Sequence, residues 1–323
     1  MNQRLLGRTG WSVGDVGYGM WGLAGWPDSD DKESREALQL SVDLGCNFFD
    51  TARAYGDGKS ERMLGELVRA NPDKTLYVAT KIPPKNMTWP SRRGSQLEDV
   101  FPSDYIRSST EESLKNLGLS RIDLLQFHVW EDTWADLEEW QRAMDDLKRE
   151  GLVHAVGISI NRWEPANSIR TLCTGVIDAV QVIYNIFDQA PEDELFPLCR
   201  QLGIGVIARV PFDEGSLTGT LTKESRWSAN DWRSTYFVPE NLSATVDHVE
   251  QLRPDVPAGM TMPDLAMRFI LSNPDVSVVI PGMRKTKNVR ANIASSDAGA
   301  LPESDIEMLR RHRWDRRPTA WSQ

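Results

Sequence analysis

Val276-Ser277-Val278-Val279-Ile280 is a run of β-branched residues broken by one serine, too apolar for a strand with one face in water. Such a segment suits a parallel strand covered by helices on one side and filled by packed side chains on the other. Seven further segments upstream carry strand character: residues 13–21, 47–51, 76–82, 122–128, 154–159, 179–184 and 205–210. Between them lie helical patterns over 32–44, 60–69, 104–117, 135–150, 164–171 and 192–202, followed by a later pair. Pro102-Ser103 marks a helix start, and Gly118, Gly151 and Gly203 stand where helices end in the left-handed conformation. Ahead of this alternation, residues 4–13 read as a hairpin turning at Arg8-Thr9-Gly10. Eight β-then-α units predict an α/β fold, a closed (β/α)8 TIM barrel with an N-terminal β-hairpin. An open doubly wound sheet is the alternative. A barrel takes about 250 residues as one unit, so residues 1–323 are expected to form a single domain.

Two segments exceed ordinary loop length and are expected as long loops on the C-terminal face of the barrel. Residues 83–101 carry Pro83, Pro84 and Pro90, and residues 211–239 carry Trp227, Trp232, Tyr236 and Phe237. Long aromatic loops after strands are more often lids or pocket walls than filler. Twelve tryptophans exceed what one dense core needs, which assigns several to a pocket. Trp89 and Trp130 are the pocket candidates, and the tail through Trp321 is placed to fold over the mouth.

Composition narrows the partners. The chain has 37 Lys plus Arg against 47 Asp plus Glu, a net charge of −10, with 40% hydrophobic and 26% charged residues, the balance of an ordinary globular protein. An acidic surface with no basic run disfavours nucleic acid and anionic membrane surfaces, leaving a small molecule as the expected partner. The polar start and the interrupted apolar runs carry no secretory or spanning signal, so a cytoplasmic location is expected. Cys46, Cys173 and Cys199, odd in number and widely spaced, read as reduced thiols. The four histidines, His128, His154, His248 and His312, form no ligand pair, and no protein-bound metal is expected.

Two familiar motifs fail on context. Gly17-Tyr18-Gly19-Met20-Trp21-Gly22 has the G-x-G-x-x-G spacing of a dinucleotide fold, but the next helical pattern begins about nine residues later, beyond Pro27. Without a helix opening on the third glycine, no amide end faces a pyrophosphate. Gly58-Lys59-Ser60 imitates the end of a phosphate loop, yet the position of its first glycine is Arg53.

In a barrel the strand C-termini carry the chemistry, and polar residues there are informative. Asp50 closes the second strand, Tyr55 follows in the next loop, Lys81 closes the third and His128 the fourth. Alone, each has an ordinary explanation as a cap, a wall, a paired core-edge lysine or a satisfied core imidazole. Four at one rim form a constellation. Asp50 would neutralise a buried Lys81, whose ammonium would favour the Tyr55 phenolate and move its proton affinity toward neutrality, making a proton donor.

The passage Asn47-Phe48-Phe49-Asp50-Thr51-Ala52-Arg53-Ala54-Tyr55-Gly56, continuing through Ser60-Glu61-Arg62-Met63-Leu64-Gly65, resembles the aldo-keto reductases. So do Ala79-Thr80-Lys81, Leu124-Leu125-Gln126-Phe127-His128, the 151–159 strand and Ile280-Pro281-Gly282, so the match runs nearly end to end. The resemblance implies an NADPH-dependent, reversible reduction of an aldehyde or ketone to the alcohol, with NAD as a possible coenzyme. It makes Tyr55 the general acid, has Lys81 and Asp50 tune it, and has His128 orient the carbonyl. It also implies a nicotinamide dinucleotide held across the barrel mouth without a separate nucleotide domain. Gly19, Met20, Trp21, Asp50, Ser159, Gln181, Arg209, Arg284, Lys285, Asn288 and Asn292 would contact it, and Trp21 would also border the substrate. Ser159 and Gln181 would meet the carboxamide, and Arg284 and Lys285 the 2′-phosphate.

The sequence departs from the usual pattern at several positions. Ser159-Ile160-Asn161 stands where many members have Ser-Asn, and Gly282-Met283 offers no hydroxyl after Ile280-Pro281. Asn288 replaces an arginine found in some members. Arg209 stands where an aromatic residue commonly stacks on the nicotinamide, which leaves phosphate, substrate or a carboxylate as its partner. A sugar or pyridoxal-type alcohol dehydrogenase uses the same groups. A slow nucleotide-sensing regulatory subunit and a lyase or isomerase on the same barrel are the rival readings.

Overall fold

The computed structural model describes residues 1–323 except 24, 27–29, 321 and 323. An N-terminal hairpin pairs β1 (Gln3–Leu5) with β2 (Ser12–Gly14). There follow β3 (Tyr18–Gly19), β4 (Phe48–Asp50), β5 (Tyr77–Ile82), β6 (Ile122–Phe127), β7 (Val153–Ser159), β8 (Ala179–Ile183), β9 (Gly205–Arg209) and β10 (Val278–Val279). Each pairs in parallel with the next in sequence, in the order β3 to β10. Parallel bridges Val16 to Val279 and Gly19 to Gly282 join the first strand region to the last. The Gly17 amide donates to Val279 O at 2.8 Å and the Gly19 amide to Pro281 O at 3.0 Å. The sheet is therefore closed, and the (β/α)8 barrel is the observed fold.

The predicted elements recur with shifts that have local causes. Residues 13–21 do not form one strand, because Ser12–Gly14 is taken by the hairpin and only Tyr18–Gly19 enters the barrel. The pattern over 135–150 becomes a short 3-10 turn, Asp132–Trp134, and the helix Glu138–Arg149. The pattern over 164–171 shrinks to Ile169–Leu172, since Asn167 spends its amide on Trp130 O and Glu131. Gly118 and Gly203 cap their helices in the left-handed conformation as expected.

Alternate strand residues point inward. Phe48, Ala79, Leu124, Ala155, Ala179, Ile207, Val278 and Ile280 fill the barrel and pack against Leu6, Trp11 and Val13 of the hairpin, which plugs its N-terminal end. Helices pack on the outer face over a separate apolar layer. No helix among the described residues is long and apolar enough to cross a membrane.

Close backbone approach explains the failed glycine motif. A Cβ on Gly17 would stand 2.9 Å from Val278 Cγ2, and one on Gly19 would stand 2.6 Å from Ile280 O. Both glycines close the barrel seam and leave no room for a side chain. Gly65 does the same between helices: its Cβ would fall 1.8 Å from Leu117 O, so Lys59–Ala70 lies tightly on Ser103–Leu117. Gly65→Ala must push these helices apart and is expected to cost on the order of 2–3 kcal/mol in urea unfolding. Wild-type stability in that variant would contradict the close contact.

Candidate active site

The period-two alternation that buries Phe48, Ala79 and Leu124 carries Asp50, Lys81 and Gln126 to the next inward layer, at the C-terminal end of the barrel. Lys81 is fully buried and Asp50 is 3% exposed. Lys81 Nζ donates to Asp50 Oδ2 at 2.5 Å and to Thr51 O at 2.8 Å. The other carboxylate oxygen, Asp50 Oδ1, accepts from Gln181 Nε2 at 2.8 Å and Gln126 Nε2 at 3.0 Å. Removing two charges from water is costly, and this pair survives because further hydrogen bonds satisfy both ions.

Tyr55 and His128 stand above this floor. Lys81 Nζ lies 5.2 Å from the Tyr55 ring centroid, and the Tyr55 and His128 rings meet edge to face at 5.6 Å. The loop that delivers Tyr55 turns through three successive left-handed residues, Gly56, Asp57 and Gly58, before the helix Lys59–Ala70 begins. Glycine at two of these positions removes the Cβ penalty, which is the local reason for the sequence there. His128 follows β6 directly, and its amide donates to Ile82 O at 3.1 Å. Trp89 packs against the His128 ring at 4.4 Å, edge to face.

Electrostatics corrects one expectation. Burial raises the Tyr55 proton affinity above the ordinary phenol value, and Lys81 and Arg209 only partly oppose it, so it does not move toward neutrality. Burial, Lys81 and Arg209 together hold the His128 imidazolium well below the usual histidine range. Near neutral pH the pair is a protonated phenol and a neutral imidazole.

A cavity of about 270 Å³ opens over these rings, and Trp89, Ser159, Gln181 and Arg209 line it with them. The Gln181 amide nitrogen is spent on Asp50, so the group it offers a ligand is its carbonyl oxygen. Trp21 is 41% exposed and packs at 5.1 Å against Trp232, which lines the same cavity. Gly19 and Met20 precede it at the seam. Met20 is fully buried in the outer core, its amide donating to Asp50 O at 2.9 Å and its carbonyl accepting from Leu23 N at 3.0 Å, so it supports the seam rather than facing the cavity.

Arg284 covers Gly22, where a Cβ would stand 2.9 Å from its Cδ, and Arg284 Nη1 is buried without a partner. Lys285 stands just before the helix Thr286–Asp297, with Asn288 exposed in its first turn and Asn292 buried further along. An unpartnered guanidinium nitrogen beside a helix N-terminus fits an anionic end of a nucleotide, and the Ser159 and Gln181 groups fit an amide. The donor set therefore suits a nicotinamide coenzyme.

Trp130 is not a pocket residue. It is fully buried with Phe127, Trp134 and Trp140, and its indole N–H donates to Thr171 Oγ1 at 2.8 Å, so its ring joins that aromatic cluster rather than the cavity. Trp321 lies outside the described residues, whereas its neighbour Ser322 lines the cavity. Asn161 gives its amide to Trp130 O and Glu131, so the displaced Ser-Asn position is a loop fastener. Sequence reading missed Gln126 as a floor residue, although alternation from Leu124 placed it inward. It also missed Arg162 in the cavity wall, for which sequence offered no signal, and Ser322, although the tail next to it was expected over the mouth.

The Aldo/keto reductase family model matches residues 15–313. The NADH-specific methylglyoxal reductase of Escherichia coli K12 is 30% identical, over 96% of this chain and 98% of its own length. A holo-form aldo-keto reductase from Bacillus halodurans superposes over the whole of both chains with TM-score 0.78 and 24% identity. A glycerol dehydrogenase from Gluconobacter oxydans gives TM-score 0.77 at 23% identity over 96% of this chain and 94% of its own. The chain belongs to the aldo-keto reductases, NAD(P)-dependent oxidoreductases built on this barrel.

The floor pair has a measurable energetic signature. Lys81→Met strands a buried carboxylate and is expected to cost about 3–5 kcal/mol in chemical unfolding, with Asp50→Asn added in the same chain restoring part of it. A double variant no more stable than the single one would show that the two side chains are not coupled.

Proposed function

We propose that this chain reduces an aldehyde or ketone to the alcohol, reversibly, with NADPH as the preferred reductant and Tyr55 as the proton donor. The observation that carries the reading is the Asp50–Lys81 pair at 2.5 Å directly beneath the Tyr55 ring, with His128 against its edge and a cavity above. When bound, the reduced coenzyme supplies hydride to the carbonyl carbon. Tyr55 gives its proton to the carbonyl oxygen, so the added electron pair and proton complete the alcohol. Lys81 stabilises the phenolate left behind, and Asp50 holds Lys81 in place beneath it. Neutral His128 donates a hydrogen bond that fixes the carbonyl oxygen near the phenol. Solvent returns the proton to Tyr55. In the reverse direction the same groups take a proton from an alcohol.

Ser159, Gln181, Gly19 and Trp21 would hold the nicotinamide half. Arg284 and Lys285, followed by Asn288 and Asn292, would hold the adenosine half, with the unpartnered Arg284 Nη1 favouring a 2′-phosphate. The NADH specificity of the Escherichia coli relative supports the opposite preference. We read residues 1–323 as one catalytic unit that works without a bound metal on a small carbonyl or alcohol in the cytoplasm.

Tyr55→Phe is expected to lower kcat for a panel aldehyde by about two to four orders of magnitude while coenzyme affinity, read by fluorescence titration, is nearly kept. Retained turnover would reject Tyr55 as the acid. With His128 neutral and Tyr55 protonated, the wild-type reduction rate is expected to show no histidine limb from about pH 6 to 8. A steep loss centred in that window would overturn both protonation assignments. Arg284→Ala is expected to lower the kcat/KM ratio of NADPH over NADH about tenfold or more. An unchanged ratio would remove Arg284 from phosphate recognition.

A further inference from the structure

The His128 ring lacks the hydrogen bond that ordinarily aims a working imidazole. A histidine in a reaction centre is oriented by what its second nitrogen binds, most often a carboxylate or a carbonyl oxygen. Here Nδ1 is buried without a partner, and Nε2 is the nitrogen left to the cavity. Orphaned N–H groups are rare in protein interiors, so the neutral ring carries its proton on Nε2. What holds the ring is therefore packing.

Two rings supply it. Tyr55 meets the imidazole edge to face at 5.6 Å and 74°, and Trp89 meets it at 4.4 Å and 83°. Trp89 is the nearer, and it comes from a loop with a fastened frame. The Lys85 amide donates to Val100 O at 2.9 Å across the base of residues 83–101, Trp134 Nε1 donates to Ser95 O at 2.8 Å, and Arg93 pairs with Glu164 at 2.6 Å. The Trp89 side chain packs on the outer core and lines the cavity as well.

We propose that Trp89 is the positioning residue of His128: its ring takes the place of the missing hydrogen-bond partner, setting the imidazole plane and keeping water from Nδ1. The inference rests on the assignment of His128 to the carbonyl oxygen and extends it to the residue that aims the donor. Misplacing such a group by about 1 Å costs on the order of a hundredfold in rate, so a contact that touches no reacting atom has leverage. The charges around the imidazole favour the same neutral form. Lys81 and Arg209 act on it as cations, Asp50 is engaged by Lys81, and Tyr55 stays protonated. The cavity wall holds Arg162 and Arg209 and no aspartate or glutamate among the described residues. Arg209 donates to Ile160 O at 2.9 Å, its Nε is buried without a partner, and no described carboxylate pairs with it within 4.0 Å. Loss of the Trp89 ring admits water and relieves burial, so the proton affinity of His128 rises, while the two cations keep it below the ordinary value.

The experiment uses the coenzyme-loaded protein as wild type, Trp89→Ala, Trp89→Leu and Trp89→Phe, with acetaldehyde and benzaldehyde as probes. Nitrogen NMR of histidine-labelled protein, with His128 assigned through His128→Gln, gives a readout independent of turnover. Wild type is expected to show the proton on Nε2 and no charging of His128 down to about pH 6. Trp89→Ala is expected to lower kcat about tenfold or more for both aldehydes and to raise the His128 charging midpoint by about one pH unit. Trp89→Phe should restore most of both. Trp89→Leu, which keeps apolar bulk without a ring, should lose kcat even where Trp89→Ala does not fold. A ring that served only as a wall for substrate predicts a raised KM for benzaldehyde alone, with kcat for acetaldehyde and the His128 titration as in wild type. That result would overturn the proposal, as would a wild-type proton on Nδ1 or a Trp89→Phe variant no better than Trp89→Ala. A shifted His128 titration in a protein that reduces neither aldehyde would instead refute the reduction reading alone.

Discussion

The buried contact between Lys81 and Asp50 is the constraint on which the site depends. An ammonium and a carboxylate inside a barrel are tolerable only when their remaining hydrogen-bonding capacity is met. Here Thr51, Gln126 and Gln181 meet it from three positions around the ring. The paired strands β4 and β5 cannot shift register without breaking the contact. Lys81 also acts on the mouth, helping to hold His128 neutral and partly opposing the effect of burial on Tyr55, an effect that Asp50 reinforces.

Closure depends on absent side chains as much as on present ones. Gly17 and Gly19 let the first strand approach the last, and Gly65 lets one outer helix lie on its neighbour. The hairpin then seals the opposite end with Leu6, Trp11 and Val13, so polar groups concentrate at one face. The C-terminal tail reaches that face too. Arg316, almost fully buried, bridges Asp188 and Asp213 and stands 4.7 Å from the ring centroids of both Trp163 and Trp314. That anchor fastens the tail segment that brings Ser322 to the cavity wall.

Surface and cavity charge have opposite sign in this molecule. A net negative surface repels anions at long range, but salt screens that effect over about 8–10 Å. Inside the mouth the low local dielectric strengthens the interaction of Arg209 with any group that reaches it.

Much of this was legible in the chain. Alternating strand and helix patterns determined the barrel, because period-two and period-3.6 burial are local consequences of backbone geometry. The same alternation placed Asp50, Lys81 and His128 at strand ends, and Tyr55 followed in a glycine-rich loop. The burial of Trp130, the raised rather than lowered proton affinity of Tyr55, and the unanswered charge of Arg209 were not legible there. Each depends on which distant residues share a volume, and desolvation is a sum over that volume rather than a property of the residue or its neighbours in sequence. Sequence alone determined the cylinder and the kinds of group at its rim; the tertiary structure decided which face water and which have a partner, since burial and pairing exist only after the chain has closed on itself.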